Sequence, residues 1–109
     1  MIHLTADTAI LIATQPADFR KGIDGFVGVC QQALAQNPRS GTLYVFINRA
    51  ATMIRILAYD HQGSGYWLMT KRLSRGRYRG WPRRESAIGT IQAHQLRQLL
   101  RGVLAPENV

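Results

Sequence analysis

The stretch of sequence that decides the fold is residues 42–71, TLYVFINRAATMIRILAYDHQGSGYWLMTK. It contains three runs rich in β-branched and aromatic residues, at 42–47, 53–59 and 65–71, and runs of this kind favour β-strands. The segments between them, Asn48–Ala51 and Asp60–Gly63, have the composition of turns. The stretch therefore predicts an antiparallel meander of three strands.

A strand and a helix are predicted before this meander. Ile10–Thr14 is rich in β-branched residues and is followed by a Gln-Pro pair, which predicts a short first strand. Asp18 is placed to cap a helix, in which apolar residues recur at spacings of three and four from Phe19 to Leu34. Every third residue at the start of this helix is a glycine. We expect these glycines to pack against the sheet, the alternative being close approach to another backbone: Gly22, Gly25 and Gly28.

A second helix is predicted after the meander. Thr90 is placed to cap it, and Gly102 and Pro106 mark its expected end. One further short strand is predicted as an option at residues 78–81. The prediction is an α+β fold in a single domain, residues 1–109, with its core at about 9–104. An antiparallel sheet of about four strands carries two main helices, in the order strand, helix, strand, strand, strand, helix.

The positive charge of the chain is concentrated in one segment. The 109 residues include 14 lysines and arginines against six aspartates and glutamates, a net charge of +8. Residues 71–84, here called the basic segment, hold seven of those 14 cations and no acidic residue. A patch of like charge repels itself and generally has a polyanionic partner. The seven cations are Lys71, Arg72, Arg75, Arg77, Arg79, Arg83 and Arg84.

Two aromatic residues lie among these cations and favour nucleic acid as the partner. Guanidinium groups match phosphates, and rings beside them stack on bases. We therefore predict phosphate contacts from the basic segment, with base or ribose contacts from Tyr78 and Trp81. The alternatives that stay open are an acidic protein partner, RNA in place of DNA, and a solvated basic face. Four cations outside the segment extend the predicted track, two at the start of the first helix and two in the hairpin: Arg20, Lys21, Arg49 and Arg55.

The sequence lacks the clustered groups that catalysis needs. Its six carboxylates are scattered, whereas a two-metal nuclease brings several together. The pair Asp60–His61 fits a turn better than an active site, and the three histidines lack the spacing of metal ligands. We therefore predict no enzyme activity, no metal and no cofactor.

One cysteine and the absence of an export signal favour the cytoplasm. Cys30 lies in an apolar stripe and has no second cysteine to pair with, so we expect a small buried thiol. The first residues lack a basic region, and no apolar run reaches the length of a membrane span. We expect a cytoplasmic protein without a membrane partner, and association with the nucleoid stays open.

Five strings of residues, in order, resemble one known family. They read DFRKGIDGF at 18–26, LYVFINR at 43–49, RILAYD at 55–60, GYWLMTKRL at 65–73 and GRYRGWP at 76–82. Together they resemble the TnpB accessory proteins of insertion-sequence-sixty-six-type transposable elements, which are not the RNA-guided nucleases of the same name. The resemblance runs from about residue 9 to residue 103. Gly80 is one residue more than the family pattern has, which implies a longer or kinked basic segment.

The resemblance implies a bacterial protein required for efficient transposition, acting with a DDE-type transposase and a further element-encoded protein. It implies no catalytic residues. Two hypotheses follow. In the first, the protein binds element-end DNA, mostly at phosphates, through the basic segment. In the second, it is an adaptor that docks the transposase or the other element-encoded protein without touching DNA.

Overall fold

The structure of the protein, a computed structural model, describes residues 4–82 and 85–101. Five strands form one sheet in the order β4-β3-β2-β1-β5. Helix α1 (Ile23–Gly28) continues as a π-helix over Val29–Ala33, and helix α2 is Ala93–Leu100. The strands are β1 (Ile10–Ala13), β2 (Leu43–Ile47), β3 (Met53–Asp60), β4 (Gly65–Arg72) and β5 (Ile88–Thr90).

The meander is confirmed by the pairing of β2, β3 and β4. All three are antiparallel neighbours, with Val45 opposite Ile56 and Leu57 opposite Leu68. The turn between β3 and β4 is also as expected. The Asp60 carboxylate accepts hydrogen bonds from the backbone N–H groups of Gln62 and Gly63, each at 3.0 Å, which makes it a turn residue.

The prediction of about four strands, all antiparallel, is wrong in two ways. The sheet has five strands, and β1 runs parallel to β2, with Ile10 opposite Leu43. The helical crossover between them returns the chain to the same end of the sheet, so β2 must run in the direction of β1. The fifth strand, β5, pairs with β1 on its other side. With three residues and a central Gly89, β5 is too short to show a strand pattern.

Both helices begin later than predicted. The Asp18 side chain accepts hydrogen bonds from the Arg20 backbone and guanidinium, so it closes a turn, and Gly22 takes the position before α1. Thr90 ends β5 and pairs with Leu11, so it does not cap α2. Helix α2 starts after Gln92, whose N–H donates to the Gln95 side chain at 2.6 Å.

Three further expectations concern loops and glycines. Residues 78–81 form no strand, and Gly80 has φ of +71°, which breaks an extended run. The glycines at the start of the first helix do not pack against the sheet as expected. A Cβ at Gly22 or Gly28 would meet nothing within 4 Å, and a Cβ at Gly25 would first meet the Lys21 side chain, at 2.6 Å. The predicted end of α2 at Gly102 and Pro106 lies outside the described residues.

The sheet has a hydrophobic core on each face. One core includes Val45 and Ile56 of the sheet, Leu96 of α2 and Tyr78 of the basic segment. The other lies under α1 and the π-helix, where Cys30 is fully buried, as the sequence predicted. No helix in the described part of the chain is both long enough and apolar enough to span a membrane.

Candidate nucleic-acid interface

An open cleft of about 1210 Å³ lies at the end of the sheet where the parallel strands β1 and β2 finish. The carboxyl ends of neighbouring parallel strands are a common place for binding crevices. Three stretches of chain form the walls. They are the loop after β1, the turn between β2 and β3, and the middle of the basic segment: Thr14–Pro16, Ile47–Ala51 and Gly76–Trp81.

Hydrogen bonds fix the basic segment against this end of the sheet. The Leu73 N–H donates to the Thr52 carbonyl at 3.0 Å, and the Tyr78 N–H donates to the Ala51 carbonyl at 2.7 Å. The Trp81 indole N–H donates to the Ala13 carbonyl at 2.9 Å. These contacts set the distance and orientation of residues 73–81 relative to the ends of β1 and β2.

The turn between β2 and β3 is held by the side chain of Asn48. Its Oδ1 atom accepts hydrogen bonds from the N–H groups of Thr52 and Met53 at 2.9 and 3.0 Å. Its Nδ2 atom donates to the Thr52 hydroxyl at 3.0 Å. Arg49 belongs to this turn, and its side chain is exposed and lines the cleft.

Three arginines meet at the cleft, which we call the arginine cleft: Arg49, Arg77 and Arg79. All three are exposed. Within the described residues the one ion pair is Arg20 with Asp18, so no described carboxylate lies within 4.0 Å of a cleft arginine. The cleft therefore gathers positive charge that the described part of the fold leaves unneutralised, which suits an anionic ligand.

The other cations of the basic segment that the structure describes lie outside the cleft. Arg72 and Arg75 are exposed but do not line it. The Lys71 ammonium donates to the Leu100 carbonyl at the end of α2, so this lysine joins the edge strand to the helix. Arg83 and Arg84 lie outside the described residues.

Arg55 is engaged within the protein. Its guanidinium donates to the carbonyls of Phe19 and Lys21 at 2.7 and 3.0 Å, and its Nε donates to the Thr70 hydroxyl at 2.7 Å. It also lies over the Phe19 ring, 4.8 Å from the ring centre. These contacts tie the segment before α1 to β3 and leave few donors for a ligand.

The two cations before α1 differ in their contacts and in their position relative to the cleft. Arg20 pairs with Asp18 at 2.8 Å, and hydrogen bonds from Arg20 lower the pKa of that carboxyl to about 2. A second hollow, of about 500 Å³, is lined by Arg20 together with Arg49 and adjoins the same turn. Lys21 is exposed and does not line either hollow.

The two aromatic residues predicted to contact bases differ in their exposure. Tyr78 is only 4% exposed and belongs to the core, so its ring has no free face for a base. Its buried hydroxyl has no hydrogen-bond partner among the described residues, and burial raises its pKa. Trp81 is half-buried and lines the cleft, so part of its indole is open there.

Two polar cleft residues were missed by the sequence reasoning. Gln15 lies two residues after the end of β1, Asn48 lies directly after β2, and both line the cleft. A polar residue within two positions of the end of a strand is the signal that could have found them. It would have worked only if the parallel pairing of β1 and β2 had been predicted.

These features define a class, a small α+β protein whose mixed sheet ends in an arginine-lined cleft. Within that class the chain belongs to the family described as IS66 Orf2 like protein, whose sequence pattern matches residues 8–108. The resemblance identified from the sequence is thereby confirmed. Membership of this family points to an accessory role in transposition.

Two relatives come from Sinorhizobium fredii, and both are uncharacterised. The protein y4hO is 38% identical over 103 residues, which cover 94% of this chain and 87% of the relative. The protein y4jC is 35% identical over 88 residues, which cover 81% and 74%. No solved structure matches the chain.

Proposed function

We propose that this protein is a non-catalytic accessory factor of transposition that binds DNA through the arginine cleft. The observation that carries the proposal is the convergence of Arg49, Arg77 and Arg79 on one cleft without a carboxylate among the described residues. Guanidinium groups bind phosphates with paired, charge-assisted hydrogen bonds. The DNA backbone is the polyanion that transposition presents to such a site.

The rest of the basic segment extends the contact beyond the cleft. Arg72 and Arg75 are exposed on the same segment, and Arg83 and Arg84 continue it in sequence. Contacts of this kind position a protein on DNA without reading sequence. The proposal therefore includes a modest sequence preference, with site selection supplied by the transposase or the other element-encoded protein.

A salt titration of binding tests the proposal. Labelled element-end DNA and scrambled DNA are titrated with the wild type and with the double variant Arg77→Ala/Arg79→Ala. Each phosphate contact adds about −0.9 to the slope of log affinity against log salt. We expect a wild-type slope near −5 if about six phosphates are neutralised, and a slope shallower by about two in the variant.

The matched control removes the same charge at sites away from the cleft. Arg39 lies over the Tyr59 ring, and Arg101 follows α2, so Arg39→Ala/Arg101→Ala lowers the net charge equally. This control is expected to keep most of the wild-type affinity and slope. Equal losses in the two variants would show only a general charge effect. No binding by the wild type at low salt would favour the adaptor, with transposase pull-down as its direct assay.

A further inference from the structure

We infer that the arginine cleft binds an unpaired DNA strand in preference to an intact duplex. This inference rests on the proposed function, because it names the form of DNA that the same site takes. It is carried by three features of the cleft, which are its concave shape, the elements that line it and the indole of Trp81.

The shape of the cleft suits one strand better than two. Proteins that read a duplex generally project a helix or a β-ribbon into a groove. Here the lining residues come only from strand ends, a turn and a loop, and neither described helix contributes to the lining. The arginines line a hollow of about 1210 Å³. Pockets for drug-sized ligands occupy ~300–1,000 Å³, so this hollow has room for a short unpaired stretch.

The indole of Trp81 gives the cleft a fixed aromatic surface. The hydrogen bond from its N–H to the Ala13 carbonyl, 2.9 Å long, sets the orientation of the ring. The side chain packs against the core that includes Tyr78, and the part of it that stays exposed lines the cleft. Stacking on such a ring needs a base whose face is free, which an unpaired strand offers and a duplex does not.

The polar groups of the cleft fit the same ligand. Gln15 is exposed in the lining, and its amide makes no hydrogen bond to any described residue. An amide can donate to and accept from the pairing edge of a base, which is free only in an unpaired strand. Arginines for phosphates, an indole for a base face and an amide for a base edge therefore occur in one hollow.

The first test compares four oligonucleotides without changing the protein. Fluorescence anisotropy measures binding to a single strand of about 12 nucleotides, its duplex, an RNA strand of the same sequence and a single strand with central abasic sites. We expect the single strand to bind about tenfold tighter than the duplex, and the abasic strand about tenfold weaker than the intact one. Duplex binding equal to or tighter than single-strand binding overturns this inference and leaves the proposed function standing. Tighter binding of the RNA also overturns it, and no DNA binding at all overturns the proposed function itself.

The second test uses the two tryptophans of the chain as reporters. Trp67 is 49% exposed on β4 and lines a hollow at the opposite end of the sheet. In Trp67→Phe only Trp81 emits, and we expect the single strand to quench this emission. In Trp81→Phe only Trp67 emits, and we expect no quenching at saturating DNA. Quenching of Trp67 but not of Trp81 would place the strand elsewhere and overturn the inference.

Discussion

Arg55 and Arg79 were both predicted from the sequence as cations of the binding surface, yet they have different roles in the structure. Arg79 is exposed in the arginine cleft, whereas Arg55 donates hydrogen bonds to two backbone carbonyls and a hydroxyl of the protein itself. Charge alone does not distinguish the two side chains. What distinguishes them is whether the fold places acceptors around the guanidinium, and only the three-dimensional arrangement shows this.

Arg55 gives a prediction about stability. Arg55→Ala removes the donor shared by the carbonyls of Phe19 and Lys21, so we expect the free energy of unfolding to fall by about 2 kcal/mol. Urea denaturation measures the change. Arg72→Ala is the control, because Arg72 is exposed at the end of β4, and its expected change is within about 0.5 kcal/mol. An equal loss in both variants would contradict the anchoring role of Arg55.

Cys30 gives a prediction about reactivity. Burial raises the pKa of its thiol to about 12, and the thiolate is the reactive form. The native protein should therefore resist a thiol reagent near neutral pH, while the denatured chain reacts readily. Because the folded pKa lies above the unfolded value of about 8.5, stability is retained below that value and falls as the pH rises towards 12. Colorimetric thiol counting with and without urea checks this, and rapid labelling of the native protein would contradict it.

At the scale of the element, helix α1 carries one glycine, Gly28, that its packing does not require. A Cβ at Gly28 would meet nothing within 4 Å, and the residue has helical angles. Gly76 in the basic segment is different, because its φ of +78° is costly for any residue with a Cβ. The same substitution should therefore have opposite effects at these two positions.

The third prediction compares the stability of Gly28→Ala with that of Gly76→Ala. Gly28→Ala is expected to raise the free energy of unfolding by about 0.5–1 kcal/mol, because alanine loses less backbone entropy in a helix. Gly76→Ala is expected to lower it by about 1 kcal/mol, because the left-handed backbone must be kept or rearranged. Thermal and urea unfolding compare the two with the wild type. A loss of stability in Gly28→Ala would mean that this glycine faces a neighbour after all.

The elements also show how far the sequence predicts the fold. The meander of residues 42–71 follows from strand composition and turn chemistry, because its pairings are local. The parallel pairing of β1 with β2 reaches across a helix. The pairing of β5 with β1 joins strands that are far apart in the sequence, so no local pattern predicts either pairing. Asp18 and Thr90 have the side chains of helix caps, but Asp18 closes a local turn with Arg20, and Thr90 pairs with Leu11 at the end of β5.

At the scale of the whole molecule, one part of the candidate site can be predicted from the sequence and another part cannot. The basic segment is visible in the sequence because seven cations lie close together. The cleft is not, since it needs Arg49 and Gln15, which come to the basic segment only through the sheet. Tyr78 stands in an alternating basic and aromatic run that is typical of a ligand contact, yet its side chain fills the core.

The concentration of charge gives the fourth prediction. Unpaired arginines repel one another, and salt screens that repulsion. At low ionic strength we expect Arg77→Ala/Arg79→Ala to unfold with a free energy about 0.5 kcal/mol above that of the wild type. The difference should vanish at high salt. Urea titrations at both salt concentrations measure it, and a variant less stable than the wild type would show that these arginines hold the fold together.

The pairing of β5 with β1 has a consequence for how the protein is made. Translation delivers β1 before the meander and β5 after it, although β1 and β5 lie side by side in the finished sheet. A nascent chain ending at Pro82 already contains every residue of the arginine cleft, but one edge of β1 still lacks its partner. Such an open edge recruits strands from other chains. A premature stop codon before β5 should therefore yield an aggregating peptide, not a smaller binding module, so the cleft depends on complete synthesis through β5.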